Sequence, residues 1–419
     1  MNDVIYSWAI PLDKICVFSH KTFIPPTSGH NITLFNTLSG LVKEGIIVDF
    51  YTYGQKNMDF QYNGINVHVY PFPPLARFLF QNRFFKRIMD RMQSSEAHLC
   101  LSSLAPHLVS FASKEMRRSD LIFLEHIWSS LFPLLYAKIF RRPVVIVDHN
   151  AEVVLSRRFL KMRTSKLTKF LLFLRLVYTF LLEKFVCSLA DRVFVTSYND
   201  KLAINKYLGI PVCKIDVFPP CVNTSRIKGD KSQGRLLRAK LNISRQDLVV
   251  CFLGDMTTVP NYMSAKYITE RLFPEVSTKI PGMRFLMVGR YRKSSRFPTN
   301  PKIIFTGEVK DLTPFLSAAD ICIAPLTLGS GIKLKILTYF SFGKPVISTP
   351  TGMEGIGARD GKEAIISSLE GFTREIVRLA SDPELRSRLG REGRKFVEEN
   401  YDQDVITKRL IRTLRRITH

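Results

Sequence analysis

Short apolar runs alternate with helix-length amphipathic segments along most of this chain. In the first half, Ile15–Ser19, Ile46–Thr52, Val67–Tyr70, Leu121–Glu125, Val144–Asp148, Arg192–Thr196 and Lys214–Phe218 read as strands, several followed at once by polar, Gly or Pro residues and then a helical stretch. Apolar runs without alternation suit parallel strands covered on both faces, and the βαβ repetition predicts a doubly wound α/β domain. After Phe218–Pro220 and the polar segment Asn223–Gly234 the pattern restarts, with Val249–Gly254, Met283–Gly289, Ile303–Thr306, Ile321–Ala324 and Pro345–Ser348 as a second strand set. The expectation is an α/β protein of two doubly wound Rossmann-like domains facing a cleft, residues 1–224 and 225–400. A basic helical tail, 401–419, could cross back to the first domain. Ligands of such sheets bind beyond the carboxyl ends of the strands, so loops there should line the cleft.

Composition changes this picture in two ways. A chain of 419 residues with 46% hydrophobic residues supports two cores, and its net charge of +25 predicts attraction to polyanions. The seven cysteines, Cys16, Cys100, Cys187, Cys213, Cys221, Cys251 and Cys322, show no C-x-x-C pair and no paired histidine spacing, so neither a zinc site nor a disulfide framework is indicated. Met1–Pro11 lacks the basic start and cleavage site of a signal peptide, which favours a cytoplasmic location. Leu167–Leu189 approaches the length of a membrane span but is interrupted by Lys169, Arg175, Glu183 and Lys184. It reads either as a buried helix covering a sheet or as a helix lying in the headgroup layer.

The segment Pro325–Leu337 carries the clearest candidate chemistry. A Gly329-Ser330-Gly331 turn opening a helix directs backbone N–H groups and the positive helix end outward, a cradle for phosphate. Lys333 and Lys335 follow within the first turns, and one of them can reach a pyrophosphate from the side. The competing reading is an ordinary glycine turn with solvated lysines.

Pro325–Gly355 resembles the signature region of family 4 retaining glycosyltransferases, through this turn and its lysines, Gly343-Lys344-Pro345-Val346-Ile347-Ser348-Thr349, and Gly352-Met353-Glu354-Gly355. Phe252-Leu253-Gly254 with Pro260-Asn261, Val288-Gly289, Thr306-Gly307-Glu308-Val309, Ala319-Asp320, Ser28-Gly29, His149-Asn150-Ala151-Glu152, and Ala190-Asp191 with Ser197 are similar to further family motifs, so the likeness spans nearly the whole chain. It implies a GT-B fold whose second domain binds a nucleotide-sugar donor, UDP- or GDP-linked, through Gly254, Glu308, Val309, Gly329, Ser330, Gly331, Lys333, Lys335 and Thr338, with Gly29 of the first domain close to the donor phosphate. His126 and Lys335 are the implied catalytic residues. Glu125 and His149 lie on the acceptor side, with His149 the runner-up to His126. No cofactor and no metal are implied, because lysines and a helix terminus can replace a divalent ion. The chain departs from the pattern at Thr338, where relatives place a glutamate that accepts hydrogen bonds from ribose; the earlier glutamate of the E-x7-E pattern falls at Ser330. Lys333 stands where arginine is common.

Basic and aromatic residues interleave at Arg77-Phe78, Arg83-Phe84-Phe85-Lys86-Arg87 and Arg91, and again through Arg157, Arg158, Lys161, Arg163, Lys166 and Lys169. This fits an anionic membrane surface, and with it a glycan or lipid-linked acceptor at the cytosolic leaflet; solvated helix faces are the alternative. Asp402-Gln403-Asp404, the only D-x-D, reads as a helix cap. A catalytically weak or inactive GT-B scaffold is the second functional reading, motivated by Thr338. Nucleic-acid binding has only the charge in its favour, with no zinc finger or RNP-like strand, and is not expected.

Overall fold

The computed structural model describes residues 12–20, 22–25, 29–72, 82, 87, 107–149, 151–161, 165–227, 229–292, 295, 297–329 and 331–418. Ser28, Cys100, Asn150, Arg163, Ser330 and most of the basic cluster from Arg77 to Arg91 lie outside the described residues. The chain divides into two compact units, one formed by Met1–Pro219 with Ile406–His419 and the other by Pro220–Val405.

The first unit is built on eight strands, β1 (Lys14–Ser19), β2 (Ile47–Gly54), β3 (Met58–Tyr62), β4 (Ile65–Pro71), β5 (Leu121–Glu125), β6 (Val144–Asp148), β7 (Arg192–Val195) and β8 (Ile215–Val217). They lie in the order β3-β4-β2-β1-β5-β6-β7-β8 and pair in parallel except for β3 with β4. β1, β5 and β6 are buried almost end to end, as their unbroken apolar runs require of strands covered on both faces. The antiparallel β3 had no counterpart among the expected strands because four of its five residues are exposed and it carries no apolar run. Its signal was the turn: Asn63 (φ 50°) and Gly64 (φ 81°) adopt the left-handed pair that a two-residue hairpin needs. The tail helix Gln403–Ile417 joins this unit from Ile406 onward, and Gly40 leaves room for Thr407, whose hydroxyl would stand 2.1 Å from any Cβ at that position. Asp402 caps the helix by accepting the Asp404 N–H at 2.9 Å.

The second unit holds β9 (Leu248–Leu253), β10 (Met283–Val288), β11 (Ile303–Gly307), β12 (Ile321–Ala324), β13 (Val346–Ser348) and β14 (Ile365–Ile366), all parallel, in the order β11-β10-β9-β12-β13-β14. In both sheets the strand order reverses beside the first strand, between β1 and β5 in one and between β9 and β12 in the other. Loops diverge there and leave a crevice at the carboxyl ends. The Gly343-Lys344-Pro345 motif is structural: Gly343 turns with φ 62°, and the Lys344 ammonium donates to the Ala319 carbonyl at 2.7 Å.

Helix Lys166–Leu189 is amphipathic in an unusual sense. Its inner face buries Leu172, Arg175, Thr179, Leu182, Glu183, Val186 and Cys187, while Leu167, Phe170, Phe173, Leu174, Val177, Leu181, Phe185 and Leu189 are exposed. Two of the charges that interrupt the apolar run therefore point inward. The Glu183 carboxylate accepts the N–H groups of Glu152 and Val153 at 2.9 and 2.8 Å, capping helix Glu152–Leu160. Burial and the neighbouring Glu183 charge push the Asp148 carboxyl well above its usual range, and burial lifts Glu183 to about 7. No helix among the described residues is long and apolar enough to cross a membrane.

Candidate active site

In the second unit, candidate groups gather at the strand reversal between β9 and β12. Gly254 follows β9, Gly329 and Gly331 follow β12, and helix Leu334–Ser341 comes next. The sequence suggested a helix beginning near Ser330; it begins one turn later, with Lys333 at its N-cap. Positive φ values at Gly329 (124°) and Gly331 (67°) lie outside the right-handed helical region, which is the reason for glycine at both positions. The Lys333 ammonium donates to the Gly331 carbonyl at 2.6 Å, folding over the turn.

Lys335 sits in the first helical turn. Its ammonium donates to Asn261 Oδ1 at 2.5 Å and lies 4.4 Å from the centre of the Phe252 ring. Although parts of the side chain reach solvent, the ammonium is walled in: a Cβ at Gly254 would stand 2.9 Å from it and 2.8 Å from Asn261. Gly254 is thus a glycine because this lysine needs the space. Burial, with the Lys333 charge adding to it, lowers the Lys335 ammonium to about 7. Asn261 is a site residue beyond those that the resemblance implies. It is held by bonds from its amide to the Asp255 carbonyl (3.1 Å) and Thr258 Oγ1 (3.0 Å), and it fixes the lysine. Its sequence signal was Pro260-Asn261 at the start of helix Val259–Tyr267.

Thr338 lies one turn beyond Lys335, half-buried, and its hydroxyl donates to the Leu334 carbonyl at 3.0 Å. Glu308 is exposed and Val309 half-buried just after β11, at the far edge of the same sheet. They are therefore separated from the turn by β10 and β9.

In the first unit, histidines and carboxylates collect at the reversal between β1 and β5. Gly29 opens helix Gly29–Lys43, and His30 follows it. Glu125 ends β5, His126 comes next, and His149 follows β6. Glu125 is buried and hydrogen-bonded to His149 Nε2. Burial alone would raise its carboxyl; His149, with His30 and His126, outweighs burial and holds it below its usual value. His126 has φ 78° and ψ 143°, strained for a non-glycine residue, a conformation maintained by its N–H bond to the Val147 carbonyl (3.0 Å) and a 2.6 Å bond from Ser130 Oγ to its own carbonyl. Its Nε2 stands 3.5 Å from Glu152, and its ring packs edge-on against His20, with centroids 5.3 Å apart. The sequence pattern pointed to His126, Glu125 and His149 separately. Their convergence with His20, His30 and Glu152 comes from segments far apart in the chain, which no local spacing announces.

Two family models match the chain: "Glycosyltransferase Family 4" over residues 27–226 and "Glycosyl transferases group 1" over residues 247–382. Among curated relatives, the lipopolysaccharide core biosynthesis glycosyltransferase LpsE of Rhizobium meliloti is 26% identical over 153 residues, 33% of this chain and 44% of that protein. The putative glycosyltransferase EpsD of Bacillus subtilis is 24% identical over 185 residues, 42% and 47% of the respective lengths. The match thus spans less than half the length of these relatives. Among solved structures, sucrose-phosphate synthase from Thermosynechococcus elongatus superposes with a TM-score of 0.69 at 16% identity, covering 97% of this chain and 99% of that one. HepE from Anabaena, in complex with UDP, gives a TM-score of 0.68 at 16% identity over 96% and 99%. The structural likeness establishes the two-domain fold, and the two family models account for most of both units. On these grounds the chain belongs to family 4 of the glycosyltransferases.

Proposed function

We propose that this protein is a retaining glycosyltransferase that moves a hexose from a UDP- or GDP-sugar to a lipid-linked or glycan acceptor at the cytosolic face of a membrane. The observation that carries the reading is the Lys335 ammonium, buried against Asn261 and Phe252 beside a glycine turn that opens a helix. When the bond between the anomeric carbon and the diphosphate breaks, negative charge grows on the departing oxygen. Lys335, Lys333 and the N–H groups of the Gly329–Lys333 turn are suited to stabilise that charge, without a divalent ion at the diphosphate. The Thr338 hydroxyl takes the place of the family's ribose-binding glutamate. His126 steadies the charge on the sugar ring, with Glu125 and His149 on the acceptor side; Gly29 leaves space for the donor. UDP in the HepE complex supports a nucleoside diphosphate as leaving group.

The exposed stripe of helix Lys166–Leu189 supports the membrane reading. Its 24 residues span about 36 Å at 1.5 Å per residue, long enough to lie along a headgroup layer. Lys166, Lys169 and Lys184 share the exposed face with the apolar side chains, while the helix's only acid, Glu183, is turned inward. The test of the enzymatic reading is transfer or donor hydrolysis by Lys335→Ala. A fall of about a hundredfold to a thousandfold is expected, and unchanged turnover would reject the site. A second reading, a GT-B scaffold of weak or no activity, draws on Thr338, whose hydroxyl hydrogen is engaged by its own helix. Absence of nucleotide-sugar binding in calorimetry would favour it.

A further inference from the structure

Four of the chain's eight histidines, His20, His30, His126 and His149, stand together at the carboxyl ends of β1, β5 and β6. Within this group His30, Glu125 and His149 each offer one donor atom, and the three atoms lie within 4.8 Å of one another. From this convergence we propose that His30, Glu125 and His149 form a binding site for one divalent transition-metal ion.

Donor atoms around a tetrahedral ion with bonds of about 2.0–2.1 Å stand about 3.4 Å apart. His149 Nε2, hydrogen-bonded to Glu125, stands inside that spacing and has to move outward, and small rotations of the two imidazoles bring the three donors to it. The frame is rigid where it has to be: Glu125 is fixed at the end of a buried strand, and the His149 carbonyl accepts the Thr196 hydroxyl at 2.9 Å. His30 comes from the first turn of a helix and supplies the adjustable third ligand. Two nitrogens and one carboxylate favour zinc, cobalt or iron over magnesium and calcium, which prefer oxygen throughout. Three protein ligands leave a position open for an oxygen of solvent or of a bound molecule. The site lies wholly within the first unit, whereas Lys335 belongs to the second, so it does not rest on the proposed donor chemistry.

The experiment uses the full chain without a histidine tag, stripped by a chelator, dialysed and titrated with Co2+ and Zn2+. The expected result is one equivalent bound per chain, a visible ligand-field band for Co2+, its displacement by Zn2+ and its persistence in excess Mg2+. His149→Ala and His30→Gln should each weaken Co2+ binding by at least about tenfold. His68→Ala, at a histidine on β4 paired with Asp59 and separated from β1 by β2, should leave it unchanged. Wild-type protein that binds less than one equivalent overturns the proposal irrespective of how the variants fold. So does a folded His30→Gln protein with unaltered Co2+ affinity and spectrum.

Discussion

At the scale of single residues the decisive group is Lys335. A lysine in the unfolded chain keeps its proton up to about 10.5, whereas Lys335 loses it near 7. Between these values the folded chain binds fewer protons than the unfolded one, so stability rises with pH across the window and the cost of the buried ammonium is greatest below 7. Lys335→Met is therefore expected to raise the melting temperature at pH 6–7 by about 2 °C or more, with the difference from wild type shrinking towards pH 10. A lower melting temperature at pH 6 would show that the Asn261 and Phe252 contacts outweigh the desolvation. At Thr338, restoring a carboxylate with Thr338→Glu should tighten UDP-sugar binding about fivefold if the ribose lies there. Weaker or unchanged affinity, measured by calorimetry, would place the ribose elsewhere. Both positions were legible in the sequence as members of one motif. Asn261 and the strained His126 backbone were not, because their roles depend on contacts with Lys335 and with β6 that a linear pattern does not contain.

At the scale of elements, helix Lys166–Leu189 shows where sequence reading falls short. Its charges suggested either a buried helix or one lying in a headgroup layer, yet the fold turns Arg175 and Glu183 inward and leaves an apolar stripe outside. Composition could not resolve this, because Glu183 becomes a buried residue only through the N–H groups of helix Glu152–Leu160, contributed by a separate segment. If the stripe meets lipid, the double variant Phe173→Glu, Leu181→Glu should abolish co-sedimentation with vesicles containing phosphatidylglycerol while leaving UDP binding intact. Sedimentation equal to that of wild type would remove this helix from the membrane reading. The start of helix Leu334–Ser341 was misplaced for a related reason: two glycines at positive φ delay helix entry, and glycine in a sequence does not declare the sign of its φ. The hairpin β3–β4, by contrast, had a readable Asn-Gly turn flanked by a strand too polar to be noticed.

At the scale of the whole molecule, two sheets, parallel but for β3, with strand reversals were readable because buried parallel strands leave unbroken apolar runs, and twelve such runs recur as strands with small shifts at their ends. What the pattern could not supply was the gathering of side chains at each reversal, since strand order is set by pairing and not by succession along the chain. The same logic gives the protein two chemically distinct crevices, a cationic one beside β9 and β12 and a histidine-carboxylate one beside β1 and β5. If the cationic crevice holds a nucleoside diphosphate, that ligand must protonate Lys335, because the neutral amine near pH 8 becomes an ammonium against phosphate. Binding then takes up a proton, and affinity falls as pH rises above 7.

Calorimetric titration of UDP and GDP at pH 8, in two buffers of different ionisation heat, measures that coupling directly. The account predicts that at least one nucleotide binds with uptake of close to one proton per chain, and that Lys335→Met loses both the uptake and most of the affinity. Binding of equal strength in the variant, or wild-type binding without proton uptake, would contradict it.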